Sequence, residues 1–256
     1  MLQEFVTTGV FAFILTFARI GAAITIMPGV GDSLTPQNIR LYIALGLSLV
    51  LAPFVTKYLP SPVPGAAALL SLVTMEFIIG LFIGTMARIF MIALDTAGMI
   101  ISMASGLGNA QLFNPGSSTQ GSLIGAFLSM TGVTLLFVTD LHHLLFYGLV
   151  GSYELFPLGH VPDSGSMAEM MAEALSSSFM IAIEIAAPFL IISLLLYIGM
   201  GVLARLMPQV QVFLLAIPVQ ITLSLIMLSL VSSAMFLFWL TKFEESMVFF
   251  LSNGQQ

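Results

Sequence analysis

MEFIIGLFIGTMARIFMIALDTAGMIISMASG, Met75 to Gly106, reads as a single long helix with one unusual face. Glu76, Gly80, Gly84 and Arg88 fall at steps of four, and Asp95, Gly98 and Ser102 continue on nearly the same side, so one stripe is polar or tiny and the rest is bulky. Working outward, the apolar pattern hardly breaks from about Ala66 to Ser105. Forty residues at 1.5 Å each make about 60 Å of helix, roughly twice the hydrocarbon thickness of a bilayer. Such a helix must either kink or stand partly outside lipid.

The whole chain shares this character. Of its 256 residues 59% are hydrophobic and 7% charged, its mean hydropathy is +1.10, and an ordinary soluble domain carries roughly a quarter charged residues. The stretches are helical in length and lack the alternation of a membrane barrel. The expected fold class is therefore all-α: a polytopic helical membrane protein, one integral membrane domain over residues 1–256, with about six long segments in kinked helical hairpins. Segment one runs from about Phe5 to Met27 and stops at MPGVGD; segment two starts near Thr35 and Pro36 and ends near Tyr58 before the proline-rich LPSPVPG. After the third come a segment from about Ser122 to Leu141, a turn-rich stretch from Gly151 to Ser166 expected to be the main extramembrane loop, a fifth segment from near Met167 to Met207, and a sixth from Val210 to about Phe250.

Several functions are disfavoured at once. The chain has no cysteine, hence no disulfide, thiolate metal site or cysteine nucleophile. A net charge of -6 with 6 Lys and Arg offers no basic patch for nucleic acid. No Lys or Arg precedes Arg19, so the first segment lacks the basic start of a removable signal peptide and is expected to stay. The motifs GxSxG and HExxH do not occur. His142 and His143, beside Asp140, point about 100° apart on a helix and read as interfacial residues; no metal or cofactor is expected. Arg40 and Arg205 fall on one side of a six-segment arrangement, which points to the cytoplasm there.

A charge at mid-bilayer costs on the order of 3 kcal/mol, so Glu76, Arg88, Asp95 and Glu184 each need a location or a partner. Glycines at i and i+4 let another backbone approach closely. The stripe Glu76, Gly80, Gly84, Arg88, Asp95, Gly98 therefore reads as a packing face toward another subunit, with a proton or ion path carried by Asp95 and Glu76 as the alternative. Among the 17 methionines, Met99 and Met103 stand just before a second unusual stretch and are candidate seal residues.

That stretch, GLGNAQLFNPGSSTQG from Gly106 to Gly121, is polar and uncharged. Gly106, Gly108, Pro115 and Gly116 stop a helix, while Asn, Gln, Ser and Thr satisfy backbone groups without charge. Non-helical backbone at membrane depth is tolerated when it is buried in protein or lines a water-filled cavity; an ordinary surface loop is the plainer reading. Glu76, Gly80 and Gly84, then Asp95 and Gly98, then GLGNAQLFNPGSS, then GVLARLMPQVQVFLLAIPVQI (Gly201 to Ile221) together resemble the FliR/SctT family of type III secretion export-gate proteins, in order and over nearly the whole chain.

The resemblance implies a non-enzymatic subunit of a flagellar protein export gate in the bacterial inner membrane and basal body. It implies assembly with FliP and FliQ into a secretion channel for unfolded substrates, with FlhB and FlhA on the cytoplasmic side. Residues 106–121 would be the channel plug, with Gly106, Gly108, Leu112, Phe113, Asn114, Pro115 and Gly116 in it and Phe113 as its bulky tip. Residues 1–168 would be the FliP-like part, and 169–256 a FliQ-like hairpin with Arg205, Pro208, Gln209 and Phe213 at or near its turn. Gln211 and Asn114 depart from the usual family pattern and leave the subtype open. The rival readings are an ion-coupled secondary transporter and the equivalent subunit of a virulence-type injectisome.

Overall fold

The computed structural model describes residues 2–32, 35–59, 65–108, 122–159, 162–207, 209 and 212–252, the side chains of 2–7, 58, 213–215 and 249–252 excepted. Among the described residues the chain is helical and has no strand. In order come α1 (Leu2–Ile26), α2 (Gln37–Val55) with a short 3₁₀ turn (Thr56–Tyr58), α3 (Ala66–Ala104), α4 (Leu123–Val138), α5 (His142–Leu155), α6 (Ser164–Leu206) and α7 (Val212–Ser252). Among the described residues five helices are long and apolar enough to cross a membrane, and α4 with α5, bent by 76°, makes six if the pair acts as one span.

Two boundaries differ from the sequence expectation. The fourth segment does not simply end near Leu141; it turns at Asp140, whose φ of 59° is left-handed, and restarts as α5. Gly151 to Leu155, expected as loop, belong to α5. The cause is packing: Leu145, Leu149, Ser152 and Tyr153 form a buried face that holds this stretch helical despite its turn-rich composition.

Between α1 and α2 the sequence MPGVGD folds into a tied turn. Gly29 has φ 84° and donates its N–H to Asp32 Oδ2 at 2.8 Å, while Gly31 N–H reaches Met27 O at 2.7 Å. Arg40, in the first turn of α2, donates back to the carbonyls of Thr35 and Asp32. The carbonyls of Asp32 and Thr35 thus find their donors in the first turn of the following helix.

The chain divides into two compact units, one of Met1–Phe90, Leu136–Leu175 and Glu244–Gln256, the other of Met91–Leu135 and Ser176–Phe243. In the first, α1 supplies the centre: Phe11 and Leu15 pack with Val55, Tyr153 and Leu158, and Ile20 and Ile24 pack with Val30 and Ala44. The residues of each pair are four apart and share a face, while the two pairs, nine residues apart, lie on opposite sides of α1 and so pack against different partners. In the second, Leu94, Ile101, Leu128 and Trp239 are essentially inaccessible, and the Trp239 and Phe243 rings lie 5.3 Å apart.

Candidate functional site

In the first unit the carboxylate of Glu76 on α3 meets the guanidinium of Arg19 on α1. Nε donates to Oε2 at 2.6 Å and Nη2 to Oε1 at 3.0 Å, a bidentate pair with both side chains at most 1% exposed. The rest of the guanidinium is also used. Nη1 donates to Ser152 O at 3.0 Å and Ser152 Oγ at 3.2 Å, Nη2 donates to Phe156 O at 2.9 Å, and the Tyr153 ring lies 4.0 Å from the guanidinium carbon. An arginine has five N–H donors, and here all five have an acceptor. That makes a buried charge tolerable and joins α1, α3 and α5 at one point.

The stripe around Glu76 follows the same partner. A Cβ at Gly80 would collide with the Arg19 carbonyl and come within 2.9 Å of the Ala22 Cβ; one at Gly84 would lie 2.6 Å from Ala23 O. Arg88 closes the row, donating to Asp32 Oδ1 at 3.0 Å and Ile26 O at 3.2 Å, where it meets a carbonyl at the end of α1. These four residues were expected to face another subunit, but the backbone they admit is α1 of the same chain. The period of the pattern indicates close approach without indicating to what.

The second half of the stripe lies in the second unit and faces α4. Gly98 meets the backbone of Gly125, with no room for a Cβ. Ser122 donates its hydroxyl to Gly98 O at 2.9 Å and accepts the Gly125 N–H at 3.1 Å, so it caps α4 and ties it to α3 together. Asp95, exposed, accepts from the Ser129 hydroxyl. The two helices that carry the ends of the polar stretch are thus clasped at its root.

At that root Gly106 has φ 75°, a conformation glycine adopts without strain. A Cβ at Gly108 would sit in ordinary contact with Met103, while the Met99 and Met103 side chains are exposed. Leu112, Phe113, Asn114, Pro115 and Gly116 lie outside the described residues, as do Pro208 and the Phe213 side chain. Gln209 stands in a turn, and Arg205 is exposed in the last turn of α6. Asp140, His142 and His143 bring donor atoms within 4.8 Å of one another, the group of described residues that could hold a metal.

Sequence reasoning missed Arg19 as the partner of Glu76. The signal was present, since Arg19 is a charge inside an apolar segment and needs a partner by the same rule that singled out Glu76.

Long apolar helices, internally paired charges and an uncharged stretch on a clasped root define an integral, multi-pass helical membrane protein. Residues 10–246 match the family described as bacterial export proteins, family 1, and the chain belongs to that family. It is 38% identical over 237 residues to the flagellar biosynthetic protein FliR of Caulobacter vibrioides, covering 92% of this chain and 94% of that one. To the FliR of Aquifex aeolicus it is 30% identical, covering 89% and 86%, and to the Yop proteins translocation protein T of Yersinia pestis 29% identical, covering 89% and 88%.

Proposed function

We propose that the chain is a non-enzymatic subunit of a flagellar type III protein export gate. It builds the secretion channel with FliP-like and FliQ-like chains in the inner membrane, meets FlhB-like and FlhA-like proteins on the cytoplasmic side, and passes unfolded substrates. Residues 106–121 close that channel at rest, with Phe113 and the neighbouring Met99 and Met103 as the seal, and residues 169–256 form the FliQ-like hairpin.

The observation that carries this reading is the clasp at Gly98, Ser122 and Gly125 beneath an uncharged stretch, in a chain similar to export proteins over residues 10–246. A fixed root beneath an uncharged stretch suits a stopper that must release a polypeptide and then reseal. The rival transporter reading requires a carrier that exchanges protons with water. Glu76, 1% exposed and held in a bidentate pair, is badly placed for that, which leaves Asp95 as its remaining candidate.

Co-expression with the FliP-like and FliQ-like chains, purification in mild detergent and measurement of particle mass and small-ion leak test the proposal. A large mixed particle that leaks when Phe113 and Met103 are both changed to glycine supports it. A stable monomer that carries a small solute, with transport abolished in Asp95→Asn, refutes it in favour of the transporter.

A further inference from the structure

The last four carbonyls of a helix have no partner within it and must find one elsewhere. At the end of α3 they can be followed singly. Ile101 O accepts the Ser105 N–H at 2.8 Å, Ser102 O accepts the Ser105 hydroxyl at 3.0 Å, and Met103 O accepts the Gly106 N–H at 3.2 Å. The fourth, Ala104 O, accepts from the side-chain amide of Gln220 on α7, 116 residues away in sequence.

Gln220 is buried, 4% exposed, and its Nε2 also donates to Tyr197 Oη on α6 at 3.3 Å. One amide group therefore joins α3, α6 and α7. Its Oε1 stands 3.4 Å from where a Cβ at Gly106 would sit. Glycine at 106 thus suits both the left-handed backbone and the closeness of this amide. Two residues before Gln220, Pro218 lacks the N–H that would continue the α7 ladder, so the helix is locally weaker beside the contact.

We propose that Gln220 is the positioning residue of the polar stretch: through it α6 and α7 hold the end of α3 and fix the direction in which residues 107 and 108 leave the helix. Movement of α7 that withdraws the amide leaves Ala104 O unpaired and frees the root. The inference rests on the channel-closing reading and assigns to the C-terminal helices the control of that stretch. A buried glutamine that merely fills a core position would make no such link.

Gln220→Met keeps the length of the side chain and removes both donors. In the co-expressed particle, small-ion leak should rise several-fold at unchanged particle yield. Amide exchange of Ser105 and Gly106 should quicken about tenfold, as expected when a buried carbonyl is left unpaired. Tyr197→Phe retains the bond to Ala104 but removes the tie to α6, and should leak more than wild type and less than Gln220→Met. Gln220→Glu supplies a donor only when its carboxyl is protonated; the titratable group that meets it is the Tyr197 phenol. Its leak should fall as pH is lowered, while wild type stays flat. Wild-type leak in Gln220→Met beside a leaking Phe113→Gly overturns the latch and leaves the gate standing. Tight particles in both variants overturn the gate reading, and the latch with it. Should Gln220→Met fail to assemble, Gln220→Glu decides: leak that recovers at low pH supports the latch, and leak indifferent to pH overturns it.

Discussion

Replacing Arg19 with methionine removes every donor around which α1, α3 and α5 meet. The Glu76 carboxylate, 1% exposed, loses both of its guanidinium bonds, and Ser152 O and Phe156 O lose theirs. Breaking a buried pair by deleting one member costs about 3–5 kcal/mol, and each carbonyl left unsatisfied adds about 1–3 kcal/mol. Against a total stability of about 5–15 kcal/mol, Arg19→Met should leave little folded protein. Glu76→Leu should cost less. The guanidinium it strands still has Ser152 O, Ser152 Oγ and Phe156 O to donate to and the Tyr153 ring beside it. The double variant Arg19→Met with Glu76→Leu buries no charge at all and should recover much of the loss, so the two changes are strongly non-additive. Unfolding of the purified chain in detergent, followed for the wild type, both single variants and the double, measures the cycle. Additive losses, or a loss from Arg19→Met smaller than that from Glu76→Leu, would refute the view that the pair is held by the completeness of its hydrogen bonding.

Three further outcomes follow from the same geometry. Gly84→Leu places a side chain against Ala23 O, where even a Cβ would sit at 2.6 Å, and should lower the stability of the chain alone, before any partner is added; unchanged unfolding of the isolated chain would place that face elsewhere. Gly98→Ala pushes against the Gly125 backbone and should raise ion leak in the assembled particle by loosening the root, whereas Gly46→Ala, with open space around it, should not. The Asp163 carboxyl, ahead of α6, is held below the usual aspartate range by the Ser166 hydroxyl first and by the N–H groups of Gly165 and Ser166. Its contribution to the start of α6 is thus fully present above the ordinary aspartate pKa and lost as pH falls through the lowered one; amide exchange at Gly165 and Ser166 should quicken over that acid range in wild type and show no such step in Asp163→Ala.

The helices were legible because nothing competes with a long apolar run in deciding where a chain crosses a bilayer. The break between α4 and α5 was not, because TDLHHLL contains neither glycine nor proline, and the turn rests on Asp140 taking a left-handed φ of 59° that aspartate tolerates better than most residues. The small-residue stripe was legible as a face but not as an address. Four-residue spacing reports that a backbone comes close at Gly80 and Gly84; that it is α1 depends on Arg19, 57 residues before Glu76 in the chain. The two points where distant segments meet share a cause that no local pattern carries. Arg19 brings five donors and finds five acceptors, and α3 ends on four carbonyls and finds four donors, the last of them from Gln220. Where water is scarce, such an inventory has to close, so each group left over by its own helix points to the segment that must come to meet it. For Arg19 that segment is α3, which fixes a core; for Ala104 it is α7, which puts the C-terminal helices in control of the root from which the polar stretch departs.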